Sequence, residues 1–305
     1  MNKITIRLGG YQGPRSVHTR AAVRLGEALE RSVGARVSFE LVPDVLALGR
    51  ASGDLPRMVE SGELTLCYMA SVRFAKAVPD LQVFELPYVV RDRARALAAL
   101  DGELGDRLKA RMQAASPFRA LGFWDNGFRH LTNRVRPIRT PADCKGLRIR
   151  TQMSALLGES LAAIGFEPIP VDIKEFVESV ATERFHAQEN PLTNTFNFNV
   201  HRHHRYITLS GHFFGASVLA CNQAQYAGWP REVQQAVDSA AREATAFQHA
   251  LAAAEDEEIL AQIDPKENEV LRLSAQEREA FVQAVEPVLA KYRKTLDPRL
   301  FEYLS

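Results

Sequence analysis

KGLRIR, Lys145–Arg150, and QENPL, Gln188–Leu192, decide how this chain is read. The first run has the pattern of a short strand and ends on a guanidinium. The second sets a carboxylate, an amide and a proline in a row where a chain must turn. Proline disfavours helical geometry in the residue before it, so the Asn190 amide is free to turn into a cleft. A guanidinium is a planar fork of donors that matches a carboxylate bidentately. The two runs therefore read as halves of one anion clamp. Each also has a plainer reading, Arg150 as a surface arginine paired with an acid and Asn190 as an ordinary turn residue.

On both sides of the clamp, strands alternate with helices. Ile4, Ile6 and Leu8 alternate as in a half-buried strand that ends at Gly9 and Gly10. Ser16 suits an N-cap, and Val17, Ala21, Leu25 and Leu29 make one helical face. Val37, Phe39 and Leu41 form a second strand, Met58 and Val59 lie in a second helix, and Leu64–Tyr68 is a third strand. This order calls for a parallel sheet covered by helices. Ligands of such sheets sit beyond the carboxyl ends of the strands, which brings in Gln12, Met69 and Ser71.

FELPYV, Phe84–Val89, reads as a sheet edge or crossover, and a long helix runs from Arg91 to about Ala114. Phe118–Trp124 reads as a new strand that runs through Asp125–Gly127 into Phe128–Asn133. A second set follows: a strand at Leu147–Arg150, a helix at Ser154–Ile164, a strand at Pro168–Val171, a helix at Phe176–Thr182 and a run at Phe185–Gln188. Tyr206–Leu209 and Ser217–Cys221 are further strands. From Pro230 to Gln262 nothing breaks a helix, and Val233, Val237, Ala240, Ala244, Phe247, Leu251 and Ala254 recur at helical spacing. Some 33 residues give roughly 50 Å, enough to span two lobes. A coiled-coil dimer seam is the competing explanation. SAQE, Ser274–Glu277, is a capping box for the last long helix.

The chain has 305 residues, which suits two domains of ordinary size. With 46% hydrophobic and 25% charged residues it reads as a globular protein. A net charge of +1 provides no field for nucleic acid. Cys67, Cys144 and Cys221 are an odd, widely spaced set without CxxC, and read as buried thiols. HRHHR, His201–Arg205, mixes arginines with histidines and has no ligand set to complete a metal site. GxSxG, Walker and GxGxxG patterns are absent, and Cys144 has no assignable histidine partner. No catalytic residue, metal or cofactor is assigned. Arg129 is placed as a second donor to the anion. Trp124, Phe128, Phe213 and Phe214 are candidate apolar walls.

The order of FELPYV, NGFRHLTN (Asn126–Asn133), KGLRIR and QENPL resembles the DctP-type substrate-binding proteins of tripartite ATP-independent periplasmic (TRAP) transporters, nearly end to end. The resemblance implies two α/β lobes of a clamshell with crossing hinge strands and one long helix shared by both. The expected lobes are residues 1–123 with 211–247, and 124–210 with 248–305, with the ligand cleft between them. It implies that Arg150 pairs with a ligand carboxylate, that Asn190 bonds the same group and that Arg129 reaches it. It further implies a periplasmic receptor that passes a small organic acid to TRAP membrane permease subunits, as a monomer. MNKITIRLGG enters a strand pattern with no apolar signal core, so a removed leader is expected.

The chain departs from the family where GxxDGQENP would stand, since it reads Glu183-Arg184-Phe185-His186-Ala187. Ile173 and Val177 stand where aromatic rings are frequent in the family. With Phe213 and Phe214 these make an apolar lining, which favours a compact monocarboxylate, with or without a 2-hydroxy or 2-oxo group, over a sugar acid or dicarboxylate. An enzyme acting on a carboxylate substrate would need an acid–base pair, for which Glu189 and His186 are the nearby residues. A sensor built on the same fold is a third reading.

Overall fold

The computed structural model describes residues 3–304. In chain order the elements are β1 (Ile4–Gly9), α1 (Val17–Val33), β2 (Val37–Val42), α2 (Leu55–Glu60), β3 (Leu66–Ala70), α3 (Arg93–Asp101), α4 (Glu103–Ala115) and β4 (Phe118–Asn133). Then come β5 (Arg148–Thr151), α5 (Ala155–Ile164), β6 (Glu167–Pro170), α6 (Ile173–Ser179), β7 (Ala187–Pro191), α7 (Leu192–Asn197) and β8 (Tyr206–Asn222). The chain closes with α8 (Gln223–Gly228), α9 (Arg231–Ala261), β9 (Glu269–Arg272), α10 (Ala275–Arg293) and α11 (Arg299–Glu302). Among the described residues no helix is long and apolar enough to cross a membrane.

The chain divides into two compact units. Unit 1 takes the residues up to Leu81, Ala94–Asn126 and Ala216–Glu255, and unit 2 takes Gln82–Arg93, Gly127–Gly215 and the residues from Asp256 on. The expected boundaries differ in detail. Gln82–Arg93 goes with unit 2, because the Tyr88 amide donates to the His212 carbonyl (2.9 Å) and Arg93 pairs with Asp256 (3.2 Å). The passages from one unit to the other at 126/127, 215/216 and 255/256 fall inside β4, β8 and α9.

In unit 1, β1 pairs in parallel with β2 and β3, and β3 pairs antiparallel with β8. Ser16 caps α1 by accepting from the Thr19 amide (3.0 Å). The face of Ala21, Leu25 and Leu29 is buried, as the periodicity predicts. Gly26 lets that helix lie against β2, since a Cβ there would fall 2.3 Å from the Phe39 ring. In α9 the buried stripe follows Val233, Val237, Ala240 and Ala244 and then turns to Thr245, Gln248 and Ala252. The expected continuation through Phe247, Leu251 and Ala254 gives way because polar groups inside need partners. Thr245 takes the Trp124 indole N–H (3.1 Å), and Gln248 takes the Asp125 amide (2.8 Å) and returns a bond to its carbonyl (2.6 Å).

In unit 2, β7 lies between β4, antiparallel, and β5, parallel, and β6 extends the parallel side. β9 pairs in parallel with the first residues of β8. The core under this sheet joins Leu131, Ile149 and Ala187 to Leu161 of α5 and to Phe281 and Val285 of α10. Ser274 and Glu277 close the expected capping box, with bonds of 3.2 and 2.8 Å. Cys67, Cys144 and Cys221 are all free thiols and buried.

Three local expectations fail. The helix expected from Arg91 to about Ala114 is two helices, because Gly102 (φ −109°, ψ −145°) leaves helical geometry between α3 and α4. Of the two readings of Phe84–Val89 the sheet edge fails: a 3₁₀ turn covers Pro79–Glu85, and Tyr88 takes a left-handed backbone (φ 58°). The two strands expected between Tyr206 and Cys221 are the single strand β8, whereas β4 runs through Asp125–Gly127 as expected. A glycine in the left-handed region, Gly127 (φ 83°) or Gly211 (φ 54°), lets each bend without ending. A Cβ at Gly127 would also lie 3.3 Å from Arg93 Nη2 and 3.4 Å from Pro191 Cβ. Gly127→Ala should therefore cost about 1–2 kcal/mol, the penalty of a left-handed L-residue. Urea unfolding reads it as a lower midpoint at unchanged slope; an unchanged midpoint would mean the strand bends some other way.

Candidate functional site

β7 is where the polar side chains converge. Its register sets Thr132 of β4 and Arg150 of β5 beside Gln188, and Leu131 beside Glu189. Side chains alternate along a strand. Gln188 and Asn190 thus share a face with Thr132 and Arg150, while Glu189 looks the other way with Arg129 and Thr151.

On the first face the amide of Asn190 is oriented by a relay. Its Nδ2 donates to Gln188 Oε1, Gln188 Nε2 donates to Thr132 Oγ1 (2.9 Å), and the Thr132 hydroxyl meets His204 Nδ1 (2.8 Å). Gln188 also donates to Thr195 Oγ1 (3.2 Å) at the start of α7. Arg150 is 2% exposed, and its Nε and Nη2 donate to the Val171 carbonyl at 3.2 and 3.0 Å. Its guanidinium lies 5.6 Å from the centre of the Phe176 ring, in cation–π range. Ile173 on the same helix, α6, is buried and Val177 is half-buried.

On the second face Arg129 and Glu189 form a fully buried pair. Arg129 Nε donates to Glu189 Oε2, and its Nη2 donates to Oε1 (2.9 Å) and to the Glu189 carbonyl (2.8 Å). The same Nη2 reaches Asn190 Oδ1 (3.1 Å). Thr151 Oγ1 donates to Glu189 Oε1 (3.3 Å), and His212 Nε2 stands 3.9 Å from Oε2. Burial and then the Arg129 charge hold His212 well below the usual imidazole range, so it stays neutral. His204 is likewise pushed down to about 3 by burial first and then by Arg134.

The structure thus brings Arg129 and Asn190 together directly and sets Arg150 one strand away. Of the other expected wall residues in unit 2, Phe213 is fully buried with its ring 4.5 Å from that of His212. Phe214 stacks edge-on against Phe128 (5.3 Å). In unit 1, Gln12, Met69, Ser71 and Trp124 are all buried. The Gln12 carbonyl accepts from Thr19 (2.9 Å). Trp124 packs with Tyr68 (5.5 Å) and His18 (6.0 Å), so it is a core residue of that unit as well as a candidate wall.

Four of these residues do not read as part of the cluster from sequence: Glu189 reads there only as the acid an enzyme would need, and nothing in the chain marks Thr151, His204 or His212. The signal for Glu189 was present: in a buried strand, a carboxylate needs a cation, and Arg129 is the register neighbour of Pro191 two residues on.

A profile of the DctP family, described as bacterial extracellular solute-binding protein, family 7, matches residues 8–295. The 2,3-diketo-L-gulonate-binding periplasmic protein YiaO of Escherichia coli is 31% identical over 265 residues, covering 87% of this chain and 79% of that protein. A TRAP periplasmic solute-binding protein of Sulfurospirillum deleyianum with bound succinate superposes with a TM-score of 0.92 at 24% identity, covering 100% of this chain and 99% of the other. The sugar acid binding protein DctPAm of Advenella mimigardefordensis, in complex with galactonate, gives 0.93 at 21% identity, covering 100% of this chain and 97% of the other. These likenesses carry the two-lobed α/β fold.

Proposed function

Because the chain belongs to the bacterial extracellular solute-binding proteins of family 7, the DctP family, we propose that it is the periplasmic receptor of a TRAP transporter, binding one small organic acid and handing it to the membrane permease. Proteins of this family bind and deliver; they are not enzymes. The observation that carries the ligand class is the division of charge around β7. Arg129 is paired with Glu189 and His212 is neutral, while Arg150 brings a second, buried guanidinium to the cluster beside Gln188. One guanidinium beside one oriented amide suits one carboxylate. Asn190 directs its Nδ2 into the Gln188 relay and its Oδ1 toward Arg129, which leaves its second N–H for a ligand oxygen.

We read the ligand as a compact monocarboxylate with an aliphatic or aromatic tail, bound by a monomeric receptor. Ile173 and Val177 support the tail, since apolar walls would leave the hydroxyls of a sugar acid unpaired at about 1–3 kcal/mol each. Similar proteins bind succinate, galactonate and diketogulonate, so a thermal-shift screen has to include all three classes. A ligand at 100 times its dissociation constant stabilises by about 2.7 kcal/mol. Branched or aromatic 2-hydroxy acids should give the largest shift. If diacids or sugar acids do so instead, the tail assignment is wrong; if no acid shifts the transition, the receptor assignment goes with it.

Arg150→Ala should weaken the best acid by about 2–5 kcal/mol, as for removing one side of a buried charged pair. Arg150→Lys should recover little, since lysine lacks the fork. Asn190→Ala should cost less, on the order of 1–3 kcal/mol. Calorimetric titration measures all three, and an Arg150→Ala protein that binds its acid within about threefold of the parent chain (~0.7 kcal/mol) would remove Arg150 from the site.

A further inference from the structure

Unit 2 holds a second concavity, of about 670 Å³, lined by residues that include Phe128, His130, Leu209, Leu260, Arg272 and Arg278. That volume is in the range of small-molecule sites. Neither Arg129, Arg150, Glu189 nor Asn190 lines it. Its walls are built from β4, β8, the end of α9 and the start of α10, together with Tyr88 and Val90 of the FELPYV segment and its flank, for which the carboxylate cluster has no use.

The groove is rich in donors. His130 Nδ1 accepts the Gly211 amide (3.0 Å), so the neutral ring carries its proton on Nε2. Desolvation first, and then the charges of Arg278, Arg93 and Arg272, keep that ring neutral, with its pKa pushed down to about 3. The charges that act on it most are those three guanidinium groups, and Arg91, Asp256, Glu257 and Glu279 line the rest of the groove. Arg278 gives one nitrogen, Nη1, to the Ser210 carbonyl (2.7 Å). Among the described residues neither Arg278 nor Arg272 is in an ion pair, although the exposed Glu257 and Glu279 line the same groove.

The geometry points to a second ligand site, for an organic monoanion with an apolar body. The anionic group lies between His130 Nε2–H and the guanidinium groups of Arg278 and Arg272. The body lies against Phe128, Leu209 and Leu260. Glu257 and Glu279 repel a second negative charge, which limits the class to monoanions.

Octanoate is the probe, with acetate as the control that lacks a body. Titrated calorimetrically, octanoate should bind the full chain and its Arg150→Ala variant alike, and acetate should bind far more weakly. Arg278→Gln should weaken octanoate at least about tenfold, the loss of a charge-assisted bond. Should that variant fail to fold, Arg272→Glu replaces an exposed side chain and should weaken octanoate severalfold. Octanoate should also shift the ¹⁵N resonance of His130 Nε2. The site is overturned if octanoate does not bind the unsubstituted chain, if binding disappears with Arg150→Ala, or if neither arginine variant changes it.

Discussion

Replacing Arg129 with alanine should cost about 3–5 kcal/mol of stability, the effect of leaving one member of a buried ion pair behind. Glu189 is 0% exposed and Arg129 2%, so the carboxylate would be stranded without water. Thr151 and a neutral His212 cannot carry its charge. A cost of this size is a large part of the stability of an ordinary domain. Arg129→Met combined with Glu189→Leu should recover most of it, because a buried pair replaced by apolar groups of similar volume is often neutral. Asn190 would lose its Arg129 partner in either case, so organic acid binding should stay weak even where stability returns. Chemical denaturation of the two proteins decides this. A single variant within about 1 kcal/mol of the parent would show that Glu189 finds another partner or is protonated at no cost.

Acid should unfold the protein well above the range in which carboxylates titrate. His18, His204 and His212 are each 0% exposed. Burial pushes His18 and His204 down to about 3 and His212 well below its ordinary 6.5. Above about pH 6.5 folded and unfolded chains both hold these rings neutral, and stability is at its full value. As pH falls from 6.5 toward 3 the unfolded chain takes up protons that the folded chain refuses, so stability is lost. Each ring contributes up to about 1.4 kcal/mol per pH unit. His249 works the other way. Burial lowers its pKa, but the Asp101 carboxylate and the Phe123 carbonyl (2.9 Å) outweigh that and raise it. Its stabilisation is present below about 6.5 and lost as pH rises through its folded value. His130, His186 and His201 are lowered as well, so six rings against one leave a net loss in acid. Melting temperatures from pH 7.5 to 4.5 should fall steadily, and His18→Phe should flatten the slope, since His18 stacks on Tyr68 (5.2 Å) with neither ring nitrogen hydrogen-bonded. A flat profile down to pH 5 would sink the idea.

Local signals in the chain settled a good deal. Ser16 and Ser274 cap helices because their hydroxyls meet orphan amides a few residues ahead, an interaction within one turn. The alternation around Ile4 to Leu8 and the face of Ala21, Leu25 and Leu29 made the first strand and helix legible. KGLRIR and QENPL stood out as a candidate site, because a guanidinium and an amide in apolar strands are costly unless something meets them.

What depends on partners far along the chain was settled only by the fold. Trp124 and Asp125 are met by Thr245 and Gln248, and those two polar residues, not Phe247 and Leu251, turn inward in α9. Periodicity ranks residues by their own hydrophobicity and cannot see a partner more than a hundred positions away. Arg129 shows the same limit: as a string it is one more donor for an anion, but β4–β7 register places Glu189 where it takes up that charge. The kind of fold and the family were legible in the chain, since these rest on patterns within a turn or a strand and on motif order. The pairing of Arg129 with Glu189 came from the fold alone, because charge balance in a buried sheet is set by neighbours in space.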